Sequence, residues 1–157
     1  PGLAARLFPA LAKLLFVNPF APRIFARMAR VPGETGRFLA RSTGSRVDAE
    51  GLLCYAALLG NAGHCEGALG MMASWDLAAF AATLTTIGNP VLLIHGDKDS
   101  AVPLDAARRA AALLPSCRLE IEAGLGHLAH EEDPDRAARW IAELAREQGI
   151  VKGEKVP

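Results

Sequence analysis

Along the first 86 residues apolar positions recur with a helical period, and from Asn89 onward short apolar runs alternate with amphipathic helices. Leu3, Leu7, Leu11, Leu14 and Leu15 predict a first apolar stripe. Pro9 falls inside it and should kink or divide that helix, because its ring removes a backbone donor and crowds the preceding turn. Ile24, Phe25 and Met28 form a short second stripe, opposed by Arg23, Arg27 and Arg30. Asp48 is placed to cap a helix running through Leu59. Ala68 to Ala82 is strongly apolar and holds Met71, Met72, Trp75 and Phe80. Breaks fall at Asn18-Pro19, Pro22, Pro32-Gly33, Gly44 and Asn61-Ala62-Gly63, and no run before Asn89 alternates as a half-buried strand would.

The second region reads strand, helix, strand, helix. Val91 to Ile94 is continuously apolar, as expected of a parallel strand covered on both faces. Leu104 to Leu114 is an Ala-rich helix, and Cys117 to Ile121 a second strand alternating Leu119 and Ile121 with charged neighbours. Asp133 followed by Pro134 is a helix start, and Ala137, Trp140, Ile141 and Leu144 then share one face. Two parallel strands cannot cover their own faces and edges, so the pattern predicts part of a larger α/β sheet. The expected division is a helical region 1–86, an α/β segment 87–148 and a polar, frayed tail 149–157. The opening on Pro1 directly into helical pattern also suggests a piece of something longer.

Composition narrows the class. With 51% hydrophobic and 22% charged residues the chain is globular, not disordered. Zero net charge gives no general field for nucleic acid. It hides an asymmetry: residues 1–75 carry 8 Lys/Arg against 4 Asp/Glu, and residues 76–157 carry 9 against 13. Cys54, Cys65 and Cys117 fit neither a metal spacing nor a disulfide framework and read as small buried residues in a reducing compartment. No signal peptide is evident and no apolar stretch nears the ~18 residues of a membrane span, so the expected location is cytoplasmic.

Chemistry concentrates at the carboxyl ends of the two strands. Gly96-Asp97-Lys98-Asp99 follows the first, and Gly124-Leu125-Gly126-His127 the second. A carboxylate that accepts from one imidazole nitrogen fixes the tautomer and leaves the other nitrogen free as a base. No Gly-x-Ser-x-Gly occurs, so the nucleophile such a pair would serve is not in this sequence.

These residues resemble the carboxyl-terminal half of an α/β-hydrolase. Gly96-Asp97-Lys98-Asp99 with Val102-Pro103 is similar to that superfamily's acid turn, and Gly126-His127 with Glu132 and Pro134 to its histidine loop. The order acid, then histidine, with the serine upstream, also agrees. The resemblance implies Asp99 as triad acid in preference to Asp97, His127 as triad base, and Glu132 as a residue steadying the histidine loop. Asn18-Pro19-Phe20-Ala21-Pro22, Arg41-Ser42-Thr43-Gly44 and Gly67 to Asp76 further resemble the cap of the magnesium-chelatase accessory hydrolases of bacteriochlorophyll biosynthesis. That likeness implies an ester or related acyl bond as target, cleaved with a serine from the missing amino-terminal half, and no cofactor or metal. It leaves two alternatives open: an accessory protein that binds a tetrapyrrole or the magnesium chelatase without hydrolysis, and a dehalogenase or epoxide hydrolase with an aspartate nucleophile.

Other residues carry weaker signals. Met71, Met72, Trp75 and Phe80 are either core or the lining of an apolar cap pocket suited to a bulky, flat ligand. Arg23, Arg27, Arg30, Arg37, Arg41 and Arg46 read as a solvated face, with tetrapyrrole propionates or an acidic partner as the functional option. His130, Glu131 and Glu132 read as a solvated capping cluster in preference to a metal site, and His95 as a satisfied strand-terminal histidine. His64 and Cys65 are adjacent on a helix, about 100° apart, and do not form a nucleophile pair.

Overall fold

The computed structural model of the protein describes residues 18–151. The predicted Leu3–Leu15 stripe, the Pro9 break and the end of the polar tail lie outside the described residues. The chain forms two compact units, and their boundaries differ from the expected 86/87 division. Residues 38–48 group with the α/β segment, separated from the helices on either side of them in sequence.

The helical unit holds α1 (Ala21–Ala29), the start of α2 (Glu34–Thr43), α3 (Ala49–Leu59) and α4 (Ala62–Ser74). Pro22 sits in the first turn of α1, where a missing N–H costs nothing. The Asn61 side chain accepts from the His64 amide and caps α4. Ala21 and Ala26 of α1 are buried, as are Cys65 and Leu69 of α4, and α1 packs on both α3 and α4. The predicted apolar run 68–82 is broken: α4 ends at Ser74, and α5 (Leu77–Thr83) begins after Trp75-Asp76. A run apolar on all sides carries no stripe whose loss could mark the break. Cys65 is buried as expected, but Cys54 is exposed and Cys117 half-buried. Cys54 lies on α3, whose run Leu52-Leu53-Cys54 gives no polar side to tell inside from outside, and Leu53 is also exposed.

In the α/β unit, β1 (Val91–Gly96) and β2 (Cys117–Glu122) pair in parallel, Val91 opposite Cys117 through Gly96 opposite Glu122. The crossover helix α6 (Leu104–Leu113) packs on both strands with Ala107 buried. A short α7 (Ala129–Glu132) leads into α8 (Pro134–Glu147). Asp133 caps α8 by accepting from the Arg136 amide at 2.9 Å, with Pro134 in the first turn, as the sequence predicts. Arg118 of β2 ties the sheet to α8 through Glu143 at 3.0 Å and Glu147 at 2.9 Å. Leu92 and Ile94 of β1 line an open groove with Trp140, Ile141 and Leu144, so this apolar sheet face is incompletely covered. Among the described residues no single helix is long and apolar enough to cross a membrane.

Candidate active site

The pairing of β1 with β2 brings the two strand-end loops side by side. The Asp97 amide donates to Glu122 O at 2.9 Å and the Lys98 amide to Leu125 O at 2.9 Å, so the acid turn lies along the start of the histidine loop. Asp97 does not reach the histidine. Its carboxylate accepts from the Gly124 amide at 2.7 Å, and Gly124 takes φ +83° there. Gly96 is required by close approach: a Cβ at that position would run into the carbonyls of Leu125 and Gly126.

Asp99, with a side chain only 5% exposed, is the carboxylate that meets the imidazole. Its Oδ1 accepts from the amides of Ala101 and Val102, both at 2.8 Å. Its Oδ2 lies 2.9 Å from Nδ1 of His127. Burial pushes the Asp99 pKa upward, and the Val102 amide, His127 and the Ala101 amide together outweigh it, so the carboxyl sits below its ordinary value. His127 is 42% exposed on its side chain. A carboxylate fixed on one oxygen by two amides presents the other in a single direction, and an imidazole bonded to it through Nδ1 keeps Nε2 for proton transfer. His95 is buried at the end of β1 with Nδ1 3.9 Å from the same Oδ2.

Glu132 spans two loops. Its Oε2 accepts from the Gly126 amide at 2.6 Å and its Oε1 from the Arg46 amide at 2.7 Å. Sequence reasoning missed the partners of the histidine loop in residues 38–48. The His127 amide donates to Thr43 O at 2.8 Å, and the Leu128 amide to Ser45 Oγ at 2.8 Å. The one available signal was Gly44, which marks a backbone needing positive φ and has φ +71°.

The remaining candidates make no hydrogen bond or ion pair described for Asp99 or His127. Met71 and Met72 are on α4, Trp75 follows its end, and Phe80 is on α5. Met71, Trp75 and Phe80 are more than half exposed, so they are not core residues. His130 contacts Glu131 at 3.6 Å, and among the described residues no group of three or more His, Cys, Asp or Glu converges on a metal position.

Residues 60–134, which include both Asp99 and His127, match the family described as alpha/beta hydrolase fold. The chain has the α/β-hydrolase fold. Over 140 residues this hydrolase-fold chain is 38% identical to the magnesium-chelatase 30 kDa subunit of Rhodobacter capsulatus, covering 89% of the chain and 49% of that protein. It is 31% identical over 72 residues to the 2-hydroxymuconate semialdehyde hydrolase of Pseudomonas putida, covering 46% of the chain and 26% of the enzyme. The structure of MenH from S. aureus superposes with a TM-score of 0.57 at 17% identity, covering 88% of the chain and 55% of MenH, a likeness of fold. The chain thus spans half or less of the length of the curated relatives it matches.

Proposed function

We propose that this chain supplies the acid and base of an α/β-hydrolase that cleaves an ester or related acyl bond. The observation that carries the reading is the 2.9 Å contact of His127 Nδ1 with an Asp99 carboxylate already held by two amides. In this mechanism a serine from the amino-terminal half of the fold attacks the carbonyl carbon. His127 takes the serine proton at Nε2 and returns it to the leaving group, while Asp99 keeps the proton on Nδ1 and stabilises the imidazolium. Proton transfer of this kind contributes about 10²–10⁴-fold. Glu132 holds the histidine loop in place. The helical region acts as a cap, with Met71, Met72, Trp75 and Phe80 offering apolar contact to a small apolar or tetrapyrrole-like substrate. The reaction calls for no metal or cofactor and would run in the cytoplasm.

A second reading is favoured by the 38% identity to the magnesium-chelatase 30 kDa subunit. Here the protein serves bacteriochlorophyll synthesis by binding a tetrapyrrole or the chelatase, without hydrolysis. One experiment separates the two. The protein carrying both halves of the fold is assayed on p-nitrophenyl esters of graded acyl length, beside His127→Ala. A hydrolase turns over at least one ester and loses roughly 10³-fold or more on substitution. Absence of turnover rejects the hydrolase reading in favour of the binding one, and turnover that survives His127→Ala rejects His127 as the base.

A further inference from the structure

We propose that Thr43–Gly44–Ser45 is a positioning clip that fixes the acid turn and the histidine loop at one separation. Its kinetic consequence rests on the hydrolase reading above; its structural consequence does not. The Thr43 carbonyl accepts from the amide of His127 at 2.8 Å and from that of Ser100, the residue after Asp99, at 3.4 Å. One oxygen therefore bridges both halves of the pair. Ser45, only 1% exposed, accepts at Oγ from the Leu128 amide and donates its own amide to Thr43 Oγ1 at 3.1 Å. Thr43 Oγ1 in turn donates to Leu39 O at 2.7 Å, anchoring the clip to α2.

Both flanks are fastened as well. Ser100 Oγ donates to Arg41 O at 3.1 Å before the clip, and the Arg46 amide donates to Glu132 after it. Two glycines let these backbones touch. At Gly44 a Cβ would overlap the carbonyl of Lys98, and at Gly126 it would overlap Ser45 and the Gly44 main chain. The acid turn, the histidine loop and the clip are thus stacked main chain on main chain. Such packing resists sliding, because Ser45 and Gly126 are buried and any shift of one loop breaks several of these hydrogen bonds together.

The clip holds main-chain amides on either side of the pair and bonds to neither its carboxylate nor its imidazole, so Thr43, Gly44 and Ser45 are positioning residues. An imidazole displaced by about 1 Å loses roughly 10²-fold in rate while substrate binding is largely kept. Fold alone would be served by any packing that buries these loops. A clip predicts in addition that the Asp99–His127 hydrogen bond responds when it is loosened.

The test uses Ser45→Ala and Glu132→Gln in the protein carrying both halves of the fold. Ser45→Ala strands the Leu128 amide; Glu132→Gln keeps shape and replaces one of two acceptor oxygens. The readouts are the His127 Nδ1–H proton resonance and kcat and KM on the best p-nitrophenyl ester. The expected result is kcat lower by roughly 10–10²-fold, KM within about twofold, and a resonance moved upfield or broadened by exchange. If Ser45→Ala does not fold, Thr43→Val, which removes the hydroxyl that holds the Ser45 amide and the Leu39 carbonyl, decides. Folded variants with unchanged kcat and an unmoved resonance overturn the clip. If the parent protein turns over no ester, the resonance alone decides: a shift upholds the clip while the hydrolase reading fails, and no shift overturns both.

Discussion

Asp99→Asn isolates charge and tautomer from shape. The amide oxygen still accepts from Ala101 and Val102, now at 2.8 Å from the carboxylate Oδ1. The amide nitrogen then faces His127 where Oδ2 stood at 2.9 Å, and it donates. His127 must accept at Nδ1 and carry its proton on Nε2, so the nitrogen that should act as base is occupied. A tautomer error of this kind lowers kcat by about 10⁴-fold with little change in KM. At 1.36 kcal/mol per decade that is about 5 kcal/mol of lost transition-state stabilisation. The assay is steady-state ester hydrolysis at pH 7–8 by the protein carrying both halves of the fold, with circular dichroism confirming that the variant is folded. A folded variant within tenfold of the parent would refute the assignment of Asp99 and leave His127 to act without it. The same variant has a signature in acid. The Asp99 pKa lies below its ordinary value when folded, so its ionisation adds stability that is fully present above the unfolded value near ~3.9. That contribution is lost as pH falls through the lower folded value. The stability difference between parent and variant should therefore be flat at neutral pH and change only below about pH 4.

Gly44→Ala should lower stability by about 2 kcal/mol or more in urea titration, since an L-residue at φ +71° is strained and its Cβ overlaps the Lys98 carbonyl. Gly67→Ala should do the opposite: Gly67 lies inside α4 with no atom within 4 Å of an added Cβ, and an increase of about 0.5–1 kcal/mol is expected by the same titration. Asp133→Ala removes the acceptor for the Arg136 amide and should lower the thermal midpoint by an amount equivalent to about 1 kcal/mol.

What the sequence made visible and what it hid divide along local and non-local lines. The apolar run Val91–Ile94 marks a strand, but β1 extends through His95 and Gly96 because both pair across to Ile121 and Glu122, a partner outside any local window. Asp133-Pro134 is a local signal with a local cause, and α8 starts there. The contact of Asp99 with His127 was legible because Gly96-Asp97-Lys98-Asp99 and Gly126-His127 resemble an acid turn and a histidine loop. Thr43 and Ser45 were not. They act through a carbonyl and a small hydroxyl on residues 57 to 84 positions away, and nothing in Arg41-Ser42-Thr43-Gly44 announces such a partner. Cys54 failed for a related reason: small apolar residues on an apolar helix carry no mark of which side meets solvent.

The parallel register of β1 and β2 has a consequence for how this site is made at all. Asp99 stands three residues past Gly96, and His127 five past Glu122, its partner across the ladder. The strands therefore serve as a pair of rulers whose zero marks must coincide. A slip of one residue would move one loop by about 3.3 Å along the sheet and turn alternate side chains to the opposite face. A 2.9 Å contact does not survive that offset. Formation of the Asp99–His127 bond thus reports that the ladder closed in the correct frame, and its proton signal can time strand alignment during refolding.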